Sequence, residues 1–236
     1  MKKYFIYLML IPFFCLSQNE KVVVNYKSLT SDDKDNFGCF VYDNGKLISN
    51  TRESLYIETP RDTIVDLNYL GEYDTKGFDY KFTYYKNLDD KYVVQDRNYG
   101  LKKLIKDDNY RISWNITSNT KKILSYDCKE ATGFFRGREY KAYFLESINI
   151  HSGPFKFDGL PGIILEVKST DKSVSIVATD ITFDEGDVSN PFGNIETVTW
   201  SEFINFYKQK FERVTTSKIE DSDIFMPNRY IEYLMN

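Results

Sequence analysis

Few side chains in this sequence are arranged to do chemistry. Among 236 residues there is one histidine, His151, so a Ser-His-Asp or Cys-His arrangement would have to use it as the base. It stands two residues before Gly153 and Pro154, where a solvent-facing loop position is the simpler reading. The His and Cys spacings of zinc sites do not occur, and the sequence implies no metal. A G-x-S-x-G elbow, a phosphate-binding P-loop and a dinucleotide fingerprint are also missing, so three large enzyme classes lose their signature. The sequence assigns no catalytic residue and no cofactor.

What remains is charge beside turns. Asp158 and Glu166 flank a proline-glycine corner, and a glycosidase would need two such acids across a cleft. With 35 acidic residues in the chain, solvated strand charges explain them more simply. Arg136 and Arg138 bracket Gly137, and two guanidinium groups beside a glycine can hold a carboxylate or phosphate bidentately. The alternative is that Arg138 pairs with a nearby acid and locks the turn. Arg136 and Arg138, with Tyr143 and Lys156, are the candidate binding residues. Aromatic residues make up 17% of the chain; they could line a groove for lipid, glycan or peptide, or simply build strands.

The elements that must position these groups begin after an apparent export signal. Lys2 and Lys3, the apolar run Tyr4 to Phe14 and the small residues Cys15 and Ser17 read as a secretory signal peptide over residues 1–17. Lipidation at Cys15 is the rival, but Phe14 stands where that signal wants a small residue. The run is too short to span a membrane, and no later segment is long and apolar enough to do so. Removing residues 1–17 leaves 219 residues, which suits one domain over 18–236, and takes the net charge from −4 to −6. An acidic chain without a basic block is a poor nucleic-acid binder. Cys39 and Cys128 remain, as one disulfide or as two buried thiols.

Gly153 to Val167 is the stretch around which the chain is organised. Pro161-Gly162 has the chemistry of a type II turn. The alternation Phe155, Lys156, Phe157, Asp158 predicts a short strand before it, and Ile163 to Val167 a second after it. Earlier, Val22 to Tyr26 reads as a strand. Phe37 to Tyr42 and Lys46 to Ile48 read as a hairpin through Asn44-Gly45. Leu55 to Ile57 is extended up to Pro60. Phe78, Tyr80, Phe82 and Tyr84 alternate with polar residues as a strand with one wet face. Strands are also predicted at Tyr92–Gln95, Leu101–Ile105, Ile112–Ile116, Ile123–Cys128, Glu139–Leu145 and Val174–Ala178. Thr199 and Glu202 form a capping box for one amphipathic helix with Trp200, Phe203, Ile204, Tyr207 and Phe211 on one face. A last short helix is expected after Pro227, covering Tyr230, Ile231 and Leu234.

With these residues in view, the chain resembles the GLPGI family, exported bacterial proteins named after a motif that Gly159, Leu160, Pro161, Gly162 and Ile163 reproduce. Tyr126-x-Cys128-Lys129-x-Ala131, Gly137-Arg138-x-Tyr140-x-Ala142 and Gly153-Pro154-x-Lys156-Phe157 extend the resemblance over residues 112–167. Glu130 departs from it, standing where the family often has a basic residue. The resemblance makes Cys128 a family position and Cys39 particular to this chain, which argues against a bridge. It implies export and a fold, but no activity, cofactor or substrate. The order of elements is also similar to the half-barrel of LolA-like periplasmic lipoprotein carriers, an analogy of layout alone.

The expectation is therefore an α+β, mainly β chain: a curved antiparallel sheet forming an open half-barrel, with one C-terminal amphipathic helix packed on it. Its expected role is non-enzymatic binding of an apolar small molecule, a lipid or an outer-membrane protein in the concavity of the sheet. A cell-envelope hydrolase using acidic residues and a purely structural envelope component are the alternatives.

Overall fold

The computed structural model describes residues 20–31, 40–60, 65–67, 71–73, 80–216, 232 and 234. The expected signal peptide, Cys39, Phe78 and the short helix from Pro227 lie outside these residues, apart from the isolated positions 232 and 234.

Most of the chain is strand. The elements are β1 (Glu20–Ser31), β2 (Phe40–Ser49), β3 (Glu53–Pro60), β4 (Val65–Leu67), β5 (Gly71–Tyr73), β6 (Phe82–Asn87), β7 (Tyr92–Gln95), β8 (Leu104–Asp107), β9 (Trp114–Ile123), β10 (Tyr126–Phe135), β11 (Arg138–Leu145), β12 (Ile163–Ser169), β13 (Val174–Glu185), β14 (Thr197–Thr199) and α1 (Trp200–Thr216). Twelve strands form one sheet in the order β14-β8-β7-β6-β3-β2-β1-β13-β12-β11-β10-β9, and β4 pairs with β5 alone. The large sheet is open and curved, with the helix packed on it, as the sequence implies. All its pairings are antiparallel except β14 with β8, a parallel pair that the sequence pattern does not announce.

Three register breaks help bend the sheet. Thr179 is an extra residue in β13 opposite Asn25 and Tyr26, Leu165 is one in β12 opposite Tyr143 and Phe144, and β9 breaks register opposite Glu130. Each adds local twist. The inner face then carries Tyr26, Leu47, Tyr56, Tyr84, Ala142, Phe144, Val167 and Ile176 into one buried cluster.

Several local expectations are corrected. Asn44-Gly45 is not a turn but the middle of β2, where Gly45 faces Tyr26 on one side and Glu58 on the other. A Cβ at residue 45 would sit 2.7 Å from ring carbons of Tyr56, so this glycine makes room for a packed tyrosine. The β2–β3 turn lies at Asn50, whose side-chain oxygen accepts from the amides of Arg52 and Glu53 at 2.8 and 2.7 Å. Ile112–Ile116 and Ile123–Cys128 are replaced by two longer strands, β9 and β10. They meet at Leu124-Ser125, with φ of 50° and 70°, the positive values that a two-residue hairpin loop needs. In β6, Thr83, Tyr85 and Lys86 are buried as well as Tyr84, so the expected wet face is absent there.

The stretch before the proline-glycine corner is also not a strand. Phe155 adopts φ of 50°, and Phe155, Lys156, Phe157 and Asp158 are all buried. At Pro161 the Gly162 amide donates to the Leu160 carbonyl at 2.8 Å, so the corner is a three-residue turn rather than type II. Residue 162 must be glycine because a Cβ there would lie 2.7 Å from the Leu145 carbonyl carbon.

The helix starts as its capping box dictates. Thr199 N–H donates to Glu202 Oε2 at 2.8 Å, and Glu202 N–H donates back to Thr199 Oγ1 at 3.3 Å. Phe203 and Tyr207 are buried with Ile105 and Leu234, and Trp200 and Ile204 pack against them.

Candidate functional site

The candidate binding residues fall into three places. Arg136 occupies the β10–β11 turn with φ of 40°, followed by Gly137 at 87°. It meets Lys156 in a buried box of two cations and two carboxylates. Lys156 Nζ is 3.0 Å from Asp107 and 2.8 Å from Glu232, and Arg136 reaches the same acids at 2.8 and 2.7 Å. Both cations lie 3.8 Å from the centroid of the Trp200 ring. Lys156 and Arg136 hold the Asp107 carboxyl below its usual range, against the effect of its burial. Arg138, at the start of β11, lies 3.6 Å from Asp171 in the β12–β13 turn, and Tyr143 is on the other face of the sheet.

The corner fills the concavity that was expected to take an apolar ligand. Phe155 packs on Tyr84 at 4.8 Å between ring centroids and Phe157 on Tyr140 at 4.8 Å, and Leu160 is buried with them. Lys86 holds the corner from the sheet, donating to the carbonyls of Gly153 and Phe157 at 2.8 and 3.2 Å. Burial brings its pKa down to about 8.

Asp158 and Glu166 are both buried but have separate partners. Tyr110 donates to Asp158 at 2.7 Å and Arg111 lies 3.6 Å away. Lys121 and Lys168 bind Glu166 at 2.7 and 3.2 Å. The acids that do interact are Asp43 on β2 and Glu58 on β3, which sequence reasoning missed. Tyr80 donates to Asp43 and Arg97 lies 2.9 Å from Glu58. Burial and Glu58 push the Asp43 carboxyl up to about 8. Their exposures are 0% and 1%, so no substrate touches either acid in this conformation. His151 is exposed and 3.0 Å from Asn149. Cys128 is a free, buried thiol. Among the described residues no three His, Cys, Asp or Glu side chains form a group able to hold a metal.

The outer face of the sheet is organised as rows. One row crosses seven strands in direct register: Glu130, Tyr143, Glu166, Val177, Lys27, Asn44 and Thr59. At its β10–β12 end every charge is matched. Tyr143, Asn119 and Thr117 donate to Glu130 at 2.7, 2.9 and 3.2 Å, with Lys141 at 3.1 Å. Tyr143, followed by these other donors, keeps the Glu130 carboxyl at about 2.

At the β1–β3 end the row runs into a hollow of about 350 Å³ lined by Asn25, Lys27, Asn44, Lys46, Ile57, Thr59 and Thr179, with Tyr26 and Gly45. Its volume lies within the roughly 300–1,000 Å³ of small-molecule sites. The Thr179 bulge forms one wall, its hydroxyl donating to the Asn25 carbonyl at 3.2 Å. Lys27 faces Asn44 across the strands, and Asn25 faces Lys46. Among the described residues neither lysine makes an ion pair, and no described acid lines the hollow. Asp180 is the nearby carboxylate, 3.4 Å from the Asn25 amide.

No family model matches the chain, and no curated protein matches it either, so the GLPGI resemblance rests on its motif residues. Among solved structures, PNGF-II in the P21 space group superposes with a TM-score of 0.51 at 14% identity, covering 78% of this chain and 33% of that one. The C2 form gives 0.48 at 14% identity, over 76% and 31%. This chain thus spans about a third of PNGF-II, and the likeness is one of fold. A domain assigned to an outer membrane lipoprotein-sorting protein of Vibrio parahaemolyticus covers 73% of this chain and 89% of its own, at 10% identity. Its TM-score of 0.25 is too low to carry an argument.

Proposed function

We propose that this chain is an exported envelope protein of the GLPGI type, one domain over residues 18–236, that acts by binding rather than by catalysis. The observation that carries the reading is the hollow on β1–β3, where Lys27 and Lys46 stand without a carboxylate while the buried cations Arg136 and Lys156 each have two. A cation that serves the fold is paired within the fold; one held over a hollow is available to a ligand. The amino-terminal export pattern supports an envelope location, and no helix among the described residues is long and apolar enough to cross a membrane. Native mass spectrometry of the protein purified from the envelope tests this: the wild type should carry a bound species that K27Q/K46Q lacks. A wild type carrying nothing would overturn the reading.

Asp43 and Glu58 favour a second reading, a hydrolase using a protonated carboxyl, because a raised acid is what general-acid catalysis requires. Their burial opposes it. Under the binding reading, Asp43→Asn leaves ligand capture intact and flattens the pH dependence of stability. A carboxyl whose folded pKa is raised destabilises the fold progressively as pH climbs from the ordinary acid range toward about 8. Denaturant titrations at several pH values measure this.

A further inference from the structure

The ligand class can be read from the four side chains at the centre of the hollow, given that the hollow is the binding site. Lys27 and Lys46 occupy one diagonal of a square of cross-strand neighbours, and Asn25 and Asn44 occupy the other. Diagonal neighbours on a sheet are roughly 7–8 Å apart at the backbone, so the two lysine stems rise on either side of a space the width of one ring. An ammonium only donates, whereas an asparagine amide both donates and accepts. Donors alone would suit a bare anion. Donors alternating with amides suit an anion that also carries hydroxyls, each of which needs a donor and an acceptor. Thr59 adds a further hydroxyl to the rim, and Ile57 supplies an apolar patch against which the C–H face of a ring can lie.

The surroundings select among anions. The protein is acidic, with a net charge of −4, so a long polyanion is repelled where it runs on beyond the hollow, whereas a short oligomer that seats one acidic unit there is repelled far less. A bilayer headgroup is disfavoured because the exposed large hydrophobic residues Ile116, Tyr126, Phe134, Phe183 and Ile195 all lie outside the lining. Among the described residues, no large exposed hydrophobic side chain stands at the rim to enter acyl chains.

We infer that the β1–β3 hollow takes an acidic sugar residue, its carboxylate between Lys27 and Lys46 and its hydroxyls on Asn25, Asn44 and Thr59. The probe is tetragalacturonate, with neutral maltotetraose and phosphatidylglycerol vesicles as comparisons, titrated calorimetrically into the mature chain. The expected result is tetragalacturonate binding that weakens with added salt and no binding of maltotetraose. K27Q/K46Q should lose on the order of tenfold or more in affinity, since hydrogen bonds to charged groups are the stronger ones, and K27R/K46R should retain binding. An unchanged melting temperature in both variants separates loss of contact from loss of fold. Equal binding of the neutral and acidic sugars, an unaffected K27Q/K46Q, or binding to the vesicles alone would overturn the inference. If tetragalacturonate fails but an envelope species still co-purifies with the wild type and not with K27Q/K46Q, the sugar assignment falls while the binding reading stands. If the wild type carries no species either, both fall.

Discussion

The row that crosses the outer face from Glu130 to Thr59 ends in two different ways. At β10–β12, lysines 121, 141 and 168 all lie on Glu130 or Glu166. At β1–β3, lysines 27 and 46 face asparagines across the strands and pair with no described acid. The scaffold is the same sheet and the lysines on both sides are solvent-facing, but only the first group has carboxylates within ion-pair reach. The difference teaches that charge in this fold has two uses: matched charge closes a surface, and unmatched charge leaves one open.

The contrast can be broken most severely where matching is buried. Lys156→Met leaves Asp107 and Glu232 without one of their two cations, and breaking a buried pair this way costs about 3–5 kcal/mol; urea unfolding should show it as a lower midpoint. On the outer face the cost is smaller. Glu166→Gln leaves Lys121 and Lys168 around a neutral amide and should lose about 1–2 kcal/mol in the same assay, since both lysines are partly solvated. Acid sharpens the contrast without mutation. Glu130 is held at about 2, so its contribution is complete above its ordinary value near 4.5 and disappears as pH falls from there to about 2. Melting temperatures across that window should fall in the wild type, and fall less in Glu130→Gln. Smallest of all, Lys27→Gln and Lys46→Gln should change stability by no more than about 0.5 kcal/mol, measured by the same denaturation. A large loss there would mean that these lysines serve the fold after all.

How much of this was legible follows from the distance in sequence over which each feature is decided. The helix start was readable because Thr199 and Glu202 are three residues apart and satisfy each other. The proline-glycine corner was placed, although burial of Phe155 and Phe157 overrode the alternation that suggested a strand before it. Asn44-Gly45 misled because a glycine is also what a packed tyrosine demands, and Tyr56 lies on the next strand. Leu124-Ser125 carried no turn signal; the pairing of β9 with β10 imposes the positive φ values on ordinary residues. The hollow was invisible because Lys27, Asn44, Thr59 and Thr179 meet only through register, and a single bulged residue sets the register between β1 and β13. Arg136 and Lys156 were singled out as charges beside turns, and the acids that engage them lie 29 and 76 residues away.

That last separation has a bearing on how the molecule is made. Lys156 is synthesised 76 residues before Glu232, so a growing chain holds this ammonium with half its counter-charge until residue 232 emerges. The clasp on Trp200 closes only then. Until Glu232 docks, one cation of the corner is only half neutralised, so the sheet can form before the corner locks against it.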